Sequence, residues 1–111
     1  NYLHKNGICH RDLKPDNIFL LKRKGRFFVK ILDFGLAKIS EEGIATAHTK
    51  SGMPVGTPLY MSPEQCMGEN VDQRADIYAL GIILYKMFTG QVPFKDGSFL
   101  TIITAHLVQE P

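Results

Sequence analysis

The side chains best equipped for chemistry are Asp12, Lys14, Asn17 and Asp33. The first three lie within His10-Arg11-Asp12-Leu13-Lys14-Pro15-Asp16-Asn17, and the fourth opens Asp33-Phe34-Gly35, 21 positions after Asp12. Two carboxylates, an amide and one ammonium suit a hard divalent cation and phosphate oxygens, because Mg²⁺ takes oxygen ligands and keeps several of its waters. The same set would place a base beside a hydroxyl that attacks phosphorus. Taken singly, Asp, Asn and Lys in turns are usually ordinary surface residues. Their joint arrangement is what points to a site.

For these groups to meet, the chain must fold as a loop, a hairpin and a second loop. Ile18-Phe19-Leu20-Leu21 and Phe27-Phe28-Val29-Lys30-Ile31-Leu32 are β-rich runs around Lys22-Arg23-Lys24-Gly25-Arg26, the pattern of a hairpin with a basic tip. Four cations in those five tip residues read as a solvated turn rather than a binding patch. Upstream, Asn1 to Lys5 reads as the last turn of a helix stopped by Gly7, and Ile8-Cys9 as a short strand. Downstream, Lys38 to Val55 lacks apolar periodicity over 18 residues, a length that marks a functional or disordered loop.

Three helices should support this arrangement. Pro63 to Met67 can start a short one, with Ser62 as N-cap and Pro63 at the first helical position. After a polar connection from Asn70 to Arg74, Asp76 to Phe88 gives the strongest pattern. Ile77, Leu80, Ile83, Leu84, Met87 and Phe88 repeat at helical spacing, while Tyr78, Ile82 and Tyr85 leave hardly any polar face. A helix apolar nearly all round is expected in the interior of a larger domain. Asp76 reads as its N-cap, Gly90 as its stop, and Pro93 seals the end. Ser98 to Leu107 is amphipathic, with Phe99, Ile102, Ile103 and Leu107 on one face.

Composition narrows the class without choosing a function. The chain has 111 residues, 44% apolar and 22% charged, ordinary for a globular domain. A net charge of +2 does not by itself indicate nucleic-acid binding. Cys9 and Cys66 fit neither a disulfide framework nor a metal-ligand spacing, and read as small buried or half-buried thiols in a reducing compartment. The longest apolar run, Ile77 to Tyr85, falls far short of the ~20 residues that span a bilayer. No signal peptide opens the chain, and there are no repeats or low-complexity tracts.

HRDLKPDN followed by DFG closely resembles the catalytic loop and metal-binding turn of the protein kinases. The resemblance continues in order through Gly56-Thr57-Pro58-Leu59-Tyr60-Met61-Ser62-Pro63-Glu64 and Asp76-Ile77-Tyr78-Ala79-Leu80-Gly81. A lone tripeptide would mean little; four ordered blocks are specific. Ser62 stands where the family more often has Ala. The resemblance implies an α+β protein-kinase-like fold, here mainly the helical carboxy-lobe core with a small β-hairpin at the active-site cleft. Residues 1–111 would be a partial kinase domain. The chain begins inside a helix and stops at Pro111, so the amino-terminal lobe and the last carboxy-lobe helices are expected to lie outside it. The missing lobe would pack on the cleft side, and the fragment alone would be inactive.

The resemblance also assigns roles. Asp12 would orient the substrate hydroxyl and accept its proton, and Lys14 would neutralise charge on the transferred phosphoryl group. Asn17 and Asp33 would hold the metal that bridges the nucleotide phosphates, with ATP and Mg²⁺ (or Mn²⁺) as cofactors. Phe19 occupies the place of the residue flooring the adenine pocket, although from sequence alone an aromatic there is more often core. His10 would pack beneath Phe34. Arg11 would receive an activation-segment phosphate, for which its planar fork is suited, with Lys38 as a second cation. Asp76 would hold the catalytic-loop backbone near His10 and Arg11, a role compatible with capping. Lys14 and Thr57, whose hydroxyl would contact the loop Asp and Lys, resemble the serine/threonine kinases. Met61-Ser62-Pro63-Glu64-Gln65 and the long Asn17-to-Asp33 hairpin look like bacterial members of the eukaryotic-type group. Thr49 and Ser51, eight and six residues before Thr57, are the candidate regulatory phosphorylation sites.

The expected partners are therefore ATP and a protein substrate bearing Ser or Thr. No nucleic acid and no membrane contact is expected within this stretch, and the kinase domain would be cytoplasmic. The rival is a pseudokinase or scaffold module that binds partners without catalysis. The presence of Asp12, Asn17 and Asp33 together weighs against it.

Overall fold

The computed structural model describes residues 2–32 and 58–111. Among the described residues four α-helices and one hairpin make up the regular structure: α1 (Tyr2–Lys5), β1 (Ile18–Arg23), β2 (Arg26–Ile31), α2 (Pro63–Met67), α3 (Arg74–Thr89) and α4 (Phe99–Val108). Short 3-10 turns at Pro15–Asn17 and Pro58–Tyr60 lead into β1 and toward α2.

β1 and β2 pair antiparallel, from Ile18 opposite Ile31 to Arg23 opposite Arg26. Lys24 and Gly25 turn the chain with φ of 48° and 76°. Positive φ at both central residues is what a two-residue type I′ turn requires, and its twist matches the strands it joins. Two residues suffice to reverse the chain, so the five-residue tip expected from sequence is too long. Lys22, Arg23 and Arg26 continue the ladder instead. The expected Ile8-Cys9 strand does not form; those residues are irregular. They have no strand partner among the described residues, and the next N–H groups bond to a side chain.

Ser62 is the N-cap of α2 and Pro63 its first residue, as expected. The Gln65 Oε1 accepts from the Ser62 N–H at 3.1 Å, the reciprocal arm of a capping box. Gly68 closes α2 in the left-handed region at φ 69°. α3 begins two residues earlier than expected, at Arg74, and Asp76 is not its cap. The N-cap position is Gln73, whose side chain makes no capping bond. Asp72, one residue earlier, serves the first helical N–H, its Oδ1 accepting from the Arg74 N–H at 2.8 Å while its carboxylate grips the Arg74 Nε. Gly90 ends the helix, its N–H donating to the Lys86 carbonyl.

Two apolar clusters hold the helices. Leu13, Tyr60, Ala79, Ile82, Ile83 and Val92 form the first; Phe94, Ile102 and Ala105 form the second. Leu59 packs against both. Only one side of α3 is covered. Ile77, Leu80, Leu84, Met87 and Phe88 are exposed, Phe88 to 87%, so among the described residues α3 is not the all-round interior helix its composition suggests. On α4 the buried set is Ile102, Ile103, Ala105 and His106. Leu107, expected on that face, is exposed, because His106 takes the inward position beside Tyr78 and Phe94.

His106 is a buried polar group in this apolar junction. Its Nδ1 is hydrogen-bonded to the Tyr78 hydroxyl at 2.7 Å, and its ring meets Phe94 edge-on. Burial pushes its pKa down, offset in part by the nearby Pro58 carbonyl. Burial also pushes the Tyr78 hydroxyl up to about 12. Cys9 is buried and Cys66 partly so, as expected, and burial pushes both thiols up to about 11. Both thiols are thereby held protonated and unreactive near neutral pH. No helix among the described residues is long and apolar enough to cross a membrane.

Candidate active site

The His10–Asn17 loop is anchored by Leu13, whose side chain enters the first cluster between α3 and Tyr60. With Leu13 inward, Asp12 and Lys14 on either side remain partly exposed and meet each other. Lys14 Nζ lies 2.9 Å from Asp12 Oδ2. Asn17, nearly buried, donates from Nδ2 to the Asp12 carbonyl at 2.9 Å. This leaves its Oδ1 as the amide atom available to a cation.

Apart from the 3-10 turn at Pro15–Asn17 the loop has no regular structure to satisfy its backbone, and side chains from distant elements serve His10 and Arg11 instead. The His10 and Arg11 N–H groups each donate to the Asp76 carboxylate, one to each oxygen, at 2.9 Å. His4 Nε2 lies 2.8 Å from Asp76 Oδ2. Burial alone would raise the Asp76 pKa, but the bonds from His10, His4 and Arg11 outweigh it and hold the carboxyl below its usual range. On the other side, Gln65 Nε2 donates to the Arg11 carbonyl at 2.7 Å. Arg11 itself sits at φ 64°, a left-handed conformation uncommon for a residue with a side chain.

His10 ties the loop to the far end of the hairpin. Its Nδ1 accepts from the Asp12 N–H at 3.3 Å and its Nε2 donates to the Leu32 carbonyl at 3.0 Å. These bonds fix the orientation of the ring. The Leu32 N–H donates to the Asn17 carbonyl at 2.8 Å. The residue immediately before Asp33 is thus bonded to both ends of the loop that carries Asp12 and Asn17.

The Arg11 guanidinium reaches the Val71 carbonyl at 3.4 Å, and its buried Nε has no partner among the described residues. Phe19 is half exposed on the hairpin rather than in the core, where its type alone would place it. Asp33, Phe34, Lys38, Thr49, Ser51 and Thr57 lie outside the described residues. Among the described residues no three His, Cys, Asp or Glu side chains converge as a metal site. The groups gathered at the loop, the Asn17 amide oxygen and the Asp12 carboxylate, are hard oxygen donors of the kind Mg²⁺ accepts.

Sequence reasoning missed two members of this network. His4 and Gln65 carry no motif signal for it. They act from 72 and 54 positions away from their partners, a separation that local pattern cannot display.

Residues 1–109 match the family model of the protein kinase domain. The chain belongs to the protein kinase family. It is 51% identical to a Myxococcus xanthus protein named serine/threonine-protein kinase Pkn1, over 97% of this chain and 15% of that protein. It is 48% identical to serine/threonine-protein kinase pkn3 of the same organism, over 97% of this chain and 20% of that one. Serine/threonine-protein kinase PknB of Mycobacterium leprae is 40% identical over 100% of this chain and 17% of its own length. The chain thus spans about a fifth or less of these relatives. They are bacterial serine/threonine kinases of the eukaryotic type, as the loop motifs suggested. The small antiparallel sheet set among helices fits the kinase fold. Protein kinases in general phosphorylate protein, with ATP as donor and Mg²⁺ as metal.

Proposed function

We propose that this chain is the carboxy-lobe core of an ATP- and Mg²⁺-dependent protein kinase acting on serine and threonine hydroxyls. The observation that carries this reading is the set of contacts linking Asp12, Lys14, Asn17, His10 and Leu32. It brings a carboxylate, an ammonium and an amide oxygen to the residue that precedes Asp33.

In this reading the Asp12 carboxylate accepts a hydrogen bond from the incoming hydroxyl, aims its lone pair at the terminal phosphorus of ATP and takes its proton as the new O–P bond forms and the bond to the leaving ADP breaks. Lys14, already paired with Asp12, orients that carboxylate and offsets charge on the transferred group. Asn17 and Asp33 are the residues that would hold Mg²⁺, which when bound neutralises and orients the nucleotide phosphates. The exposed face of Phe19 offers apolar contact for adenine. Thr57 steadies Asp12 and Lys14, and an amino-terminal lobe packs on the cleft side.

The test uses the full-length protein and radiolabelled ATP with a protein substrate. Asp12→Asn should lower kcat about 10²–10⁴-fold, the usual contribution of a positioned base, with the melting temperature unchanged. Asp33→Ala should be as damaging. Near-normal turnover in both would refute the assignment.

The buried Arg11 Nε, without a partner among the described residues, supports a switch: phosphate on Thr49 or Ser51 would bring three acceptor oxygens to it. The doubly substituted Thr49→Ala/Ser51→Ala enzyme should lose most of its activity, and full activity would eliminate this mechanism. Mass spectrometry of the active enzyme should find phosphate on one or both.

A further inference from the structure

We infer that Gln65 is a positioning residue for Asp12, holding the Arg11–Asp12 peptide in place from the start of α2. This rests on the reading of Asp12 as the base. Gln65 uses its amide at both ends. Its Oε1 accepts from the Ser62 N–H at 3.1 Å, and its Nε2 donates to the Arg11 carbonyl at 2.7 Å. Neither bond survives a flip of the amide, because an N–H needs the oxygen and a carbonyl needs the nitrogen. The side chain is therefore fixed in one orientation. Its foundation is equally fixed, since Ser62 is fully buried.

The peptide it holds needs holding. Arg11 sits at φ 64°, where a residue with a side chain is strained, and the surroundings must enforce that geometry. Asp76 takes the two N–H groups ahead of the turn, at His10 and Arg11. Gln65 takes the carbonyl after it, which belongs to the peptide bond leading directly into Asp12. The strained turn is thus clamped from α3 on one side and from α2 on the other. Released from Gln65, the peptide plane can rotate, and rotation there moves the Asp12 carboxylate. Displacing a reacting group by ~1 Å can cost ~10²-fold in rate.

Glutamate separates the two functions of Gln65. A carboxylate can still accept from the Ser62 N–H, and negative charge is favourable in the first turn of a helix. It cannot donate to the Arg11 carbonyl, and two oxygens at that distance repel. Leucine removes both functions. In the full-length kinase, Gln65→Glu and Gln65→Leu should each lower kcat about tenfold or more, with KM for ATP within about twofold. Gln65→Glu should remain folded, with a melting temperature lowered less than in Gln65→Leu, and a residue acting only as a cap would then give full turnover. A kcat within twofold of wild type in folded Gln65→Glu overturns the inference. Asp12→Asn is measured alongside. If that variant stays active, the base assignment has failed; if it is inactive while Gln65→Glu is fully active, only the role of Gln65 has.

Discussion

The β1–β2 hairpin and the His10–Asn17 loop are adjacent in the chain and are held by opposite means. The hairpin satisfies its own backbone through a regular ladder and closes with two residues, yet most of its side chains face outward, Phe27 at 68% exposure. The loop has almost no regular structure, yet His10, Leu13 and Asn17 are buried within it. Its order comes from Asp76, Gln65 and Leu32, all distant in sequence, bonding to its backbone or to His10. Regular hydrogen bonding makes a shape cheaply, but only long-range side-chain bonds place a shape relative to the rest of the molecule. The group that must be placed accurately, Asp12, lies in the second kind of segment.

That contrast can be broken most directly at Asp76. Asp76→Asn leaves one of two buried N–H groups facing an amide nitrogen and disturbs His4 as well. It should cost the full-length protein about 2–4 kcal/mol, since each unsatisfied buried donor costs ~1–3 kcal/mol. Denaturant midpoints would show it. Because the Asp76 pKa is lowered in the folded state, its stabilisation is present above about pH 4 and is lost as pH falls through the folded value. The variant should therefore show a flatter acid limb. An unchanged midpoint would mean the loop does not depend on α3.

The α3–α4 junction sharpens the comparison, because among the described residues the buried His106 ring has a hydrogen-bond partner at Nδ1 and none at Nε2. Its folded pKa lies below 6.5, so the unfolded chain takes up a proton first as pH falls. Stability should be greatest above about pH 6.5 and decline below it, with a slope of at most one proton, ~1.4 kcal/mol per pH unit. His106→Phe should remove that slope in midpoints measured between about pH 7.5 and 5. The smallest effect belongs to the hairpin. Gly25→Ala meets no neighbouring atom but must adopt φ 76°, and should cost about 1 kcal/mol without altering kcat. A large loss of activity there would show that the hairpin turn also positions the site.

What was legible in the sequence was local. The Ser62-Pro63 start of α2, the Gly90 stop of α3, the hairpin and the ordered blocks of the loop all act over a few residues. Asp76 was expected both to cap α3 and to hold the loop; only the second occurs, because Asp72 already serves the α3 N–H groups. Leu107 was placed on the inner face of α4 by its apolar character. The hydroxyl of Tyr78, 28 residues away, rewards a histidine there instead. Hydropathy pattern reports which side chains avoid water, not which polar ones find partners across the fold.

Leu59 packs against both apolar clusters and follows directly on Pro58, the first described residue after Leu32. A side chain common to two clusters makes them one cooperative unit, since an opening that frees it loosens α3 and α4 together. In hydrogen-exchange terms, the slowest amides of these two helices are expected to share a single opening event. The Pro58–Tyr60 turn then reports on the integrity of the whole helical core.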